Sequence, residues 1–363
     1  MFSAADYDFM AQALRLAERG RYTTDPNPRV GCVLVKDGTV VGQGWHERAG
    51  QPHAEVHALR QAGEQARGAT VYVTLEPCSH HGRTPPCADA LIRAGVTRVV
   101  VAMQDPSAKV AGRGLECLRQ AGIEVELGLM QARAEALNPG FVSRQRRGRP
   151  WVRCKLAMSL DGRTAMASGE SKWITSAPAR ADVQRLRAAS SVIVTGINTV
   201  LADDPRMNAR VEFEAKQPDR VVLDSNLRMP ADAAMLAQAG TTWVATDNSD
   251  AAARMALERV GARLLELPGR DGCLDLAALL KALADLEYNE VLVEAGPTLS
   301  GAFVQAGLID ELIVYLAPHL MGHGGRALLQ LPGIESMAQR IGLHMTELKQ
   351  IGDDLRLSYT LAP

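Results

Sequence analysis

The sequence predicts an α/β protein built as two successive units, and three observations carry that prediction. Strand-like and helix-like patterns alternate along most of the chain, as they do where helices cover a sheet. The segment Arg144–Pro150 (Arg-Gln-Arg-Arg-Gly-Arg-Pro) interrupts the alternation with charge, glycine and proline. The length, 363 residues, suits two domains of ordinary size better than one.

In the first half, Phe9, Ala13, Leu14, Leu16 and Ala17 recur at helical spacing and predict a helix over Asp6–Arg19, stopped at Gly20. Val30–Val35 and Val40–Trp45 read as strands joined by a hairpin turn at Asp37-Gly38. A helix over Ala54–Ala66 follows, then a strand over Thr70–Leu75, a helix over Cys87–Ala94 and a strand over Arg98–Met103. Gly114–Ala121 and Ile123–Leu127 add one more helix and strand. The expected result is a sheet covered by helices in three layers. Arg144–Pro150 reads either as a basic nucleic-acid contact or as a solvated linker. The linker reading is adopted, and it divides the chain into domains 1–147 and 148–363.

The second half opens with a strand at Trp151–Ala157. Further β-branched runs lie at Ser191–Thr195, Arg220–Leu223, Thr241–Ala245, Val291–Val293 and Leu312–Leu316. Helices at Ala179–Ala189 and Leu274–Leu286 separate several of them, which again predicts an α/β unit with its own sheet.

Lys and Arg number 40 against 41 Asp and Glu, for a formal net charge of −1. A chain that lives on phosphate-backbone contacts shows a basic surplus, so nucleic acid is disfavoured and a small-molecule ligand fits better. No stretch approaches the roughly 20 apolar residues of a membrane span, and the first ten residues lack the basic start and apolar run of a secretory signal. No membrane partner and a cytoplasmic location are therefore expected. In that setting the six cysteines read as reduced thiols or metal ligands rather than disulfides.

The strongest chemical signal is His53-Ala54-Glu55, followed by Pro77-Cys78 and then Cys87. A catalytic zinc takes three nitrogen and sulfur ligands and leaves its fourth tetrahedral position to water. His53, Cys78 and Cys87 supply that set. Zinc lowers the pKa of its water from about 15.7 to about 7, and an uncoordinated Glu55 could carry the proton so released. His53 and Cys87 both sit at expected helix starts, whose partial positive charge favours thiolate. Cys78 follows a strand's carboxyl end, where α/β sites form. The plainer alternative is a core histidine with two buried thiols. His80 and His81, in the same loop, read as exposed loop residues, competing ligands or substrate contacts.

In the second half no Gly-x-Gly-x-x-Gly follows a strand and no Walker-type loop occurs, so a Rossmann dinucleotide site is poorly supported. The informative pieces are Lys155 in a strand, Asp161-Gly162 in a turn, Asp203-Asp204-Pro205, and Glu294-Ala295-Gly296-Pro297-Thr298. The last runs from a strand into a helix and presents backbone N–H groups suited to a cofactor phosphate, though a plain strand-to-helix turn reads the same way.

The His-x-Glu…Pro-Cys…Cys pattern resembles the cytidine/deoxycytidylate deaminase superfamily, whose pair is Cys-x-x-Cys. Here eight residues, Ser79 to Pro86, separate the two cysteines. The run Cys-Ser-His-His-Gly-Arg-Thr-Pro-Pro-Cys resembles the bifunctional riboflavin-biosynthesis deaminase/reductase family instead. Asn27-Pro28-Arg29-Val30-Gly31 is similar to that family's substrate-binding strand entry, while Lys155 to Arg163 and Val293 to Leu299 are similar to its reductase half. The resemblance implies a cytidine-deaminase-like three-layer domain followed by a dihydrofolate-reductase-like α/β domain.

It also implies residue roles. Asn27 would hydrogen-bond the pyrimidine. Ala157, Trp173, Thr199, Asp203 and Ser225 would contact NADPH, together with Gly296, Pro297, Thr298, Leu299, Ser300, Gly301 and Ala302. Ser171, Arg187, Met207, Arg210 and Glu294 would hold the phosphorylated substrate, with Arg187 and Arg210 as a phosphate clamp. Lys155, Asp203 and Glu294 would lie nearest the hydride transfer. Taken alone, Trp173 reads as core packing and the arginines as solvated surface.

The implied function is two consecutive steps of riboflavin synthesis: zinc-dependent hydrolytic deamination of a diamino-hydroxy-phosphoribosylamino-pyrimidine, then reduction of its ribosyl chain by NADPH. A homodimer is the expected assembly. Two rival readings stand beside it. One is a nucleotide or tRNA deaminase with an accessory C-terminal domain; the other is a protein whose zinc only holds the fold.

Overall fold

The computed structural model describes residues 1–79, 86–107, 110–270 and 272–362. They form two compact units, Met1–Gly148 and Arg149–Pro363.

The first unit runs α1 (Ala4–Glu18), β1 (Gly31–Lys36), β2 (Thr39–Trp45), α2 (Ala54–Ala62), β3 (Thr70–Val73), α3 (Cys87–Ala94), β4 (Arg98–Val101), α4 (Arg113–Gln120), β5 (Glu124–Leu127), α5 (Gln131–Leu137) and α6 (Pro139–Arg147). The sheet order is β2-β1-β3-β4-β5. β1 is antiparallel to both neighbours, and β3, β4 and β5 are parallel.

Alternation along β1 builds the two cores. Val33 and Val35 pack with Met10 and Leu14 of α1 and Phe141 of α6, whereas Cys32 and Leu34 pack with Ala54 and Ala58 of α2 and Leu91 of α3. The result is the expected three layers. Two glycines let α2 lie close on β2: a Cβ on Gly42 would meet the Ala58 carbonyl at 2.2 Å, and one on Gly44 the Ala54 carbonyl at 2.6 Å.

Two sequence readings change here. The helix expected to Ala66 ends at Ala62, and Gly63, at φ 53°, turns the chain into a short 3-10 segment. Arg144–Arg147 is the last turn of α6 rather than a linker. Its cationic side chains suit a helix C-terminus, and Gly148 in the left-handed region ends the helix.

A buried network ties α1 to the sheet. The Asp6 carboxylate accepts from Tyr72 Oη (2.7 Å) and Arg98 Nη1 (2.7 Å), and Arg98 also pairs with Glu126. The Arg98 guanidinium, against the cost of burial and with help from Tyr72, holds the Asp6 carboxyl far below the usual carboxylate range. A depressed carboxylate stabilises the fold above its unfolded pKa, about 4, and that contribution is lost as pH falls towards its folded value. Asp6→Asn is therefore expected to destabilise the protein by about 3 kcal/mol at pH 7. The gap from the parent should narrow between about pH 4 and pH 2, which paired urea melts measure.

The second unit opens with β6 (Trp151–Ser159), β7 (Arg163–Ala165), α7 (Ala177–Ala188), β8 (Val192–Gly196), α8 (Ile197–Asp203), β9 (Asp219–Leu223), β10 (Thr242–Thr246), α9 (Ala251–Arg259) and β11 (Arg263–Glu266). It continues with β12 (Gly269–Arg270), β13 (Cys273–Leu274), α10 (Leu276–Asp285), β14 (Glu290–Val293), α11 (Pro297–Gln305), β15 (Glu311–Ala317), β16 (Arg326–Ala327), β17 (Leu343–Ile351) and β18 (Asp354–Leu361).

Its main sheet has the order β11-β10-β9-β8-β14-β6-β15-β18-β17. The strands from β11 to β15 are parallel, and β18 is antiparallel to β15 and β17. α10 and α11 pack on one face (Leu279, Leu283, Phe303), while α7, α8 and α9 pack on the other (Val183, Ile197, Leu257). The chain steps from β6 to β8 and outward, then returns to place β14 between them. That reversal makes the strand carboxyl ends around β14 the place for a ligand crevice.

The β17–β18 hairpin was not expected. Its signal was present in β18, where Leu355, Leu357, Tyr359 and Leu361 alternate after a Gly352-Asp353 turn. β17 is exposed along nearly its whole length and so carries no matching pattern.

Candidate active sites

His53 caps the N-terminus of α2 without a side-chain cap bond, and Cys87 is the first residue of α3. Cys78 lies five residues past the end of β3, held by the Cys87 backbone N–H to its Sγ (3.3 Å) and by its own carbonyl to Ala88 N (3.2 Å). The three ligand atoms converge: His53 Nδ1 is 3.3 Å from Cys87 Sγ and 3.6 Å from Cys78 Sγ. A tetrahedral zinc, at about 2.05 Å from nitrogen and about 2.3 Å from sulfur, sets such atoms about 3.6 Å apart. This is the one His/Cys/Asp/Glu cluster of that kind among the described residues. His80 and His81 lie outside the described residues.

The donor chemistry fits a dication as well. The Cys78 thiol is pulled down, first by the hydrogen bond from Cys87 and then, against burial, by His53 and the Cys87 N–H. The same Cys78 contact, with burial, pushes Cys87 the opposite way. Ionising both thiols requires added positive charge, which zinc supplies.

Glu55 lies in the first turn of α2, 3% exposed, and its Oε2 is a buried oxygen with no hydrogen-bond partner. Burial pushes its carboxyl up, and His53 opposes that shift.

The structure adds two residues that the motifs did not single out. His46, 2% exposed, places Nδ1 3.1 Å from the Pro52 carbonyl and Nε2 3.1 Å from Asn27 Nδ2. A carbonyl only accepts, so Nδ1 carries the proton, Nε2 accepts, and Asn27 donates its amide N–H. Asn27 Oδ1 is left as an acceptor facing away from His46. Burial lowers the His46 pKa, in keeping with the neutral ring. Glu76 accepts from the backbone N–H groups of Asp105 (3.1 Å), Gly112 (3.0 Å) and Gly114 (2.9 Å), which ties the loop before α4 to the Pro77-Cys78 turn. Each is a single polar residue whose partners are distant in sequence. A buried acid immediately before Pro-Cys was the available signal for Glu76.

In the second unit, Lys155 on β6, Arg187 on α7 and Glu294 just past β14 come together. Arg187 Nε and Nη2 donate to Glu294 Oε1 and Oε2 at 2.6 and 2.8 Å, and Arg187 Nη1 reaches the Asn208 carbonyl. Burial drives the Lys155 ammonium towards neutrality, Glu294 opposes this, and Arg187 reinforces it. Arg187 thus has its guanidinium fork on Glu294. Arg210, exposed and paired through Nη1 with Asn208 Oδ1 (2.5 Å), presents the nearby outward cation.

The other expected residues divide. Trp173 is 70% exposed, with the Arg180 guanidinium 4.5 Å from its ring centre, which overturns the core-packing alternative. Asp203 ends α8 and pairs with Lys172 (3.0 Å). Met207 is 3% exposed within the apolar core beneath α8. Thr199, Ser171 and Ala157 are half-buried, and Ser225 Oγ donates to the Gly272 carbonyl.

Within Gly296–Ala302, α11 starts at Gly296 with Pro297 in its first turn and no side-chain cap, so the first N–H groups have no capping side chain. A Cβ on Gly296 would meet nothing within 4 Å, whereas one on Gly301 would strike the Gln330 carbonyl at 2.0 Å. Ser300 is fully buried. The open, uncapped start of α11 at the sheet's reversal fits the phosphates of a nucleotide cofactor.

A histidine and two cysteines converging beside a buried glutamate, in one unit, and an uncapped helix start at a parallel sheet's reversal, in the other, define a two-domain enzyme: a zinc-dependent deaminase followed by a nucleotide-dependent reductase. Comparison with known proteins narrows this class. Residues 3–103 match the cytidine and deoxycytidylate deaminase zinc-binding region, and residues 150–357 match the RibD C-terminal domain. The chain is 55% identical to the riboflavin biosynthesis protein RibD of Escherichia coli, over 97% of this chain and 98% of that one. It is 49% identical to its Haemophilus influenzae counterpart over 99% and 98%. The solved structure of Acinetobacter baumannii RibD, 49% identical, superposes with a TM-score of 0.93 over 99% of each chain. The Thermotoga maritima deaminase/reductase structure gives 0.86 at 29% identity, also over 99% of each chain. The chain belongs to the RibD family of riboflavin biosynthesis proteins, with deaminase and reductase activities that use zinc and NADPH.

Proposed function

We propose that residues 1–147 deaminate a diamino-hydroxy-phosphoribosylamino-pyrimidine and that residues 148–363 reduce the ribosyl chain of the product, two consecutive steps on one phosphorylated scaffold. The observation that carries the first step is the partnerless, buried Glu55 Oε2 beside His53, Cys78 and Cys87. Bound zinc supplies a Lewis acid that makes water nucleophilic at neutral pH. Glu55 takes one proton from the attacking water and passes it to the ring nitrogen, then takes the second from the hydroxyl now on the ring carbon and passes it to the amine, which leaves as ammonia. Asn27 Oδ1, oriented through His46, accepts from the pyrimidine and fixes its register.

In the reductase, NADPH supplies hydride for the anomeric carbon. The uncapped α11 start receives cofactor phosphate, Arg210 receives the substrate phosphate, and Lys155 with Glu294 holds the sugar at the point of reaction. Asp203 lies on the cofactor side. The six cysteines are all free, in keeping with a cytoplasmic setting. The exposed β17 edge, with Leu343, Met345 and Leu348 uncovered, supports a homodimer.

Chelation tests the division of labour. Stripping zinc from the purified protein is expected to stop ammonia release and zinc to restore it, while NADPH oxidation with the deaminated intermediate continues at the parent rate. Loss of both activities together, or of neither, contradicts the assignment.

A further inference from the structure

One polar group under α7 is not used by the chemistry described so far. Tyr315 on β15 is fully buried. The β6–β15 register sets Ala157 opposite Tyr315 and Lys155 opposite Ile313, so Tyr315 is the diagonal neighbour of Lys155 on the same sheet face, within reach of a long side chain. Lys155 Nζ lies 5.7 Å from the Tyr315 ring centre. The ring is held from its far end: Tyr315 Oη donates to Asp182 Oδ2 of α7 at 2.7 Å, and Arg356 Nη1 donates to the same oxygen at 2.9 Å. Arg356 stands directly across from Tyr315 on β18 and is paired also with Glu347 of β17. The hydroxyl cannot swing aside without taking one of two donors from the buried Asp182 oxygen.

The geometry points to Tyr315 as a positioning residue for the reductase: its ring face, pinned through Asp182, fixes the Lys155 ammonium beside Glu294. The inference rests on the place given to Lys155 above. The charged and titratable groups facing Lys155 are Glu294 past β14, Arg187 of α7 and Tyr315 of β15, while Cys154, adjacent on its own strand, lies on the opposite sheet face. Glu294 accepts both prongs of the Arg187 guanidinium, so Lys155 shares its one carboxylate with a second cation. The ring's negative face is then the additional group that favours the charged amine. Burial and Arg187 together push Lys155 towards neutrality, which gives the ring something to oppose.

The test uses the full-length protein, with NADPH oxidation on the deaminated intermediate followed across pH and ammonia release as the control in the same chain. Tyr315→Met, which keeps a long apolar side chain but removes the ring, is expected to move the alkaline limb of kcat/KM down by about half a pH unit or more. Its kcat should fall about tenfold while ammonia release is unchanged. Tyr315→Phe keeps the ring but frees it from Asp182; it should leave the limb in place and lower kcat only a few-fold. Adding Tyr315→Met to Lys155→Met should cost nothing further.

An unmoved alkaline limb in a Tyr315→Met protein that melts like the parent overturns the proposal, as does a double variant weaker than Lys155→Met alone. If Tyr315→Met does not fold, Tyr315→Leu takes its place, and Phe and Leu variants with the same pH profile give the same refutation. A Lys155→Met enzyme that still reduces its substrate is a separate result, and it removes the reading of Lys155 itself.

Discussion

Replacing Glu55 with glutamine is expected to abolish ammonia release while the protein keeps its zinc and its NADPH oxidation. The substitution preserves shape at a position 3% exposed on the first turn of α2, so the fold has little to lose. What disappears is a carboxylate oxygen that no protein group occupies. An amide cannot take a proton from water and return it to a ring nitrogen, and general acid–base catalysis of this kind is worth about 10²–10⁴-fold in rate. The ligand atoms belong to His53, Cys78 and Cys87, so the metal content should match the parent's. The reductase residues lie in the other unit, and their rate on the deaminated intermediate should be unaltered. Metal analysis with two steady-state assays on one preparation decides the matter. Ammonia release above about a tenth of the parent rate removes Glu55 from the chemistry.

The second large effect concerns charge rather than proton transfer. Glu294 is the single carboxylate on which both Arg187 and Lys155 depend, and the Arg187 and Glu294 side chains are only 12% and 11% exposed. Glu294→Gln therefore leaves two sheltered cations facing a neutral amide. Breaking one side of a buried ion pair costs about 3–5 kcal/mol, and the expected loss in urea melts lies at the lower end because the amide oxygen still accepts one bond. Reductase activity should fall by at least about a hundredfold, since a misplaced or deprotonated Lys155 no longer meets the substrate. Adding Arg187→Met removes one stranded cation and should return part of the stability but not the activity. Ammonia release remains at the parent level. A Glu294→Gln protein with unchanged melts and reductase rate contradicts this reading of the cluster.

Some of this was legible in the sequence because the chemistry demands particular residue types at element ends. His53, Cys78, Cys87 and Glu55 could be picked out since few other purposes bring His-x-Glu, Pro-Cys and Cys to consecutive helix starts and a strand end. Glu294 and the Gly296-Pro297 helix start were visible for the same reason. Continuous apolar runs such as Val291–Val293 gave the central strands, because burial on both faces leaves only apolar residues there.

What stayed hidden depends on contacts between distant segments. His46 gains its role from Asn27 and Pro52, Glu76 from the backbone of Asp105, Gly112 and Gly114, and Tyr315 from Asp182 and Arg356. No local pattern records those meetings. The basic run at Arg144 misled for a physical reason, because a helix C-terminus and a solvated linker both favour cationic side chains followed by glycine. The Arg187 pair with Glu294 is hidden for the same reason as the histidine and tyrosine contacts, since the two residues lie 107 positions apart.

The central claim is that three side chains hold one zinc and leave a corner of its tetrahedron to solvent. X-ray absorption at the zinc edge of the intact protein tests it most directly. The account predicts two sulfur neighbours at about 2.3 Å and two lighter neighbours at about 2.0 Å, only one of which shows imidazole scattering. A second imidazole or a third sulfur in the shell would close that corner with protein and leave Glu55 no water to deprotonate.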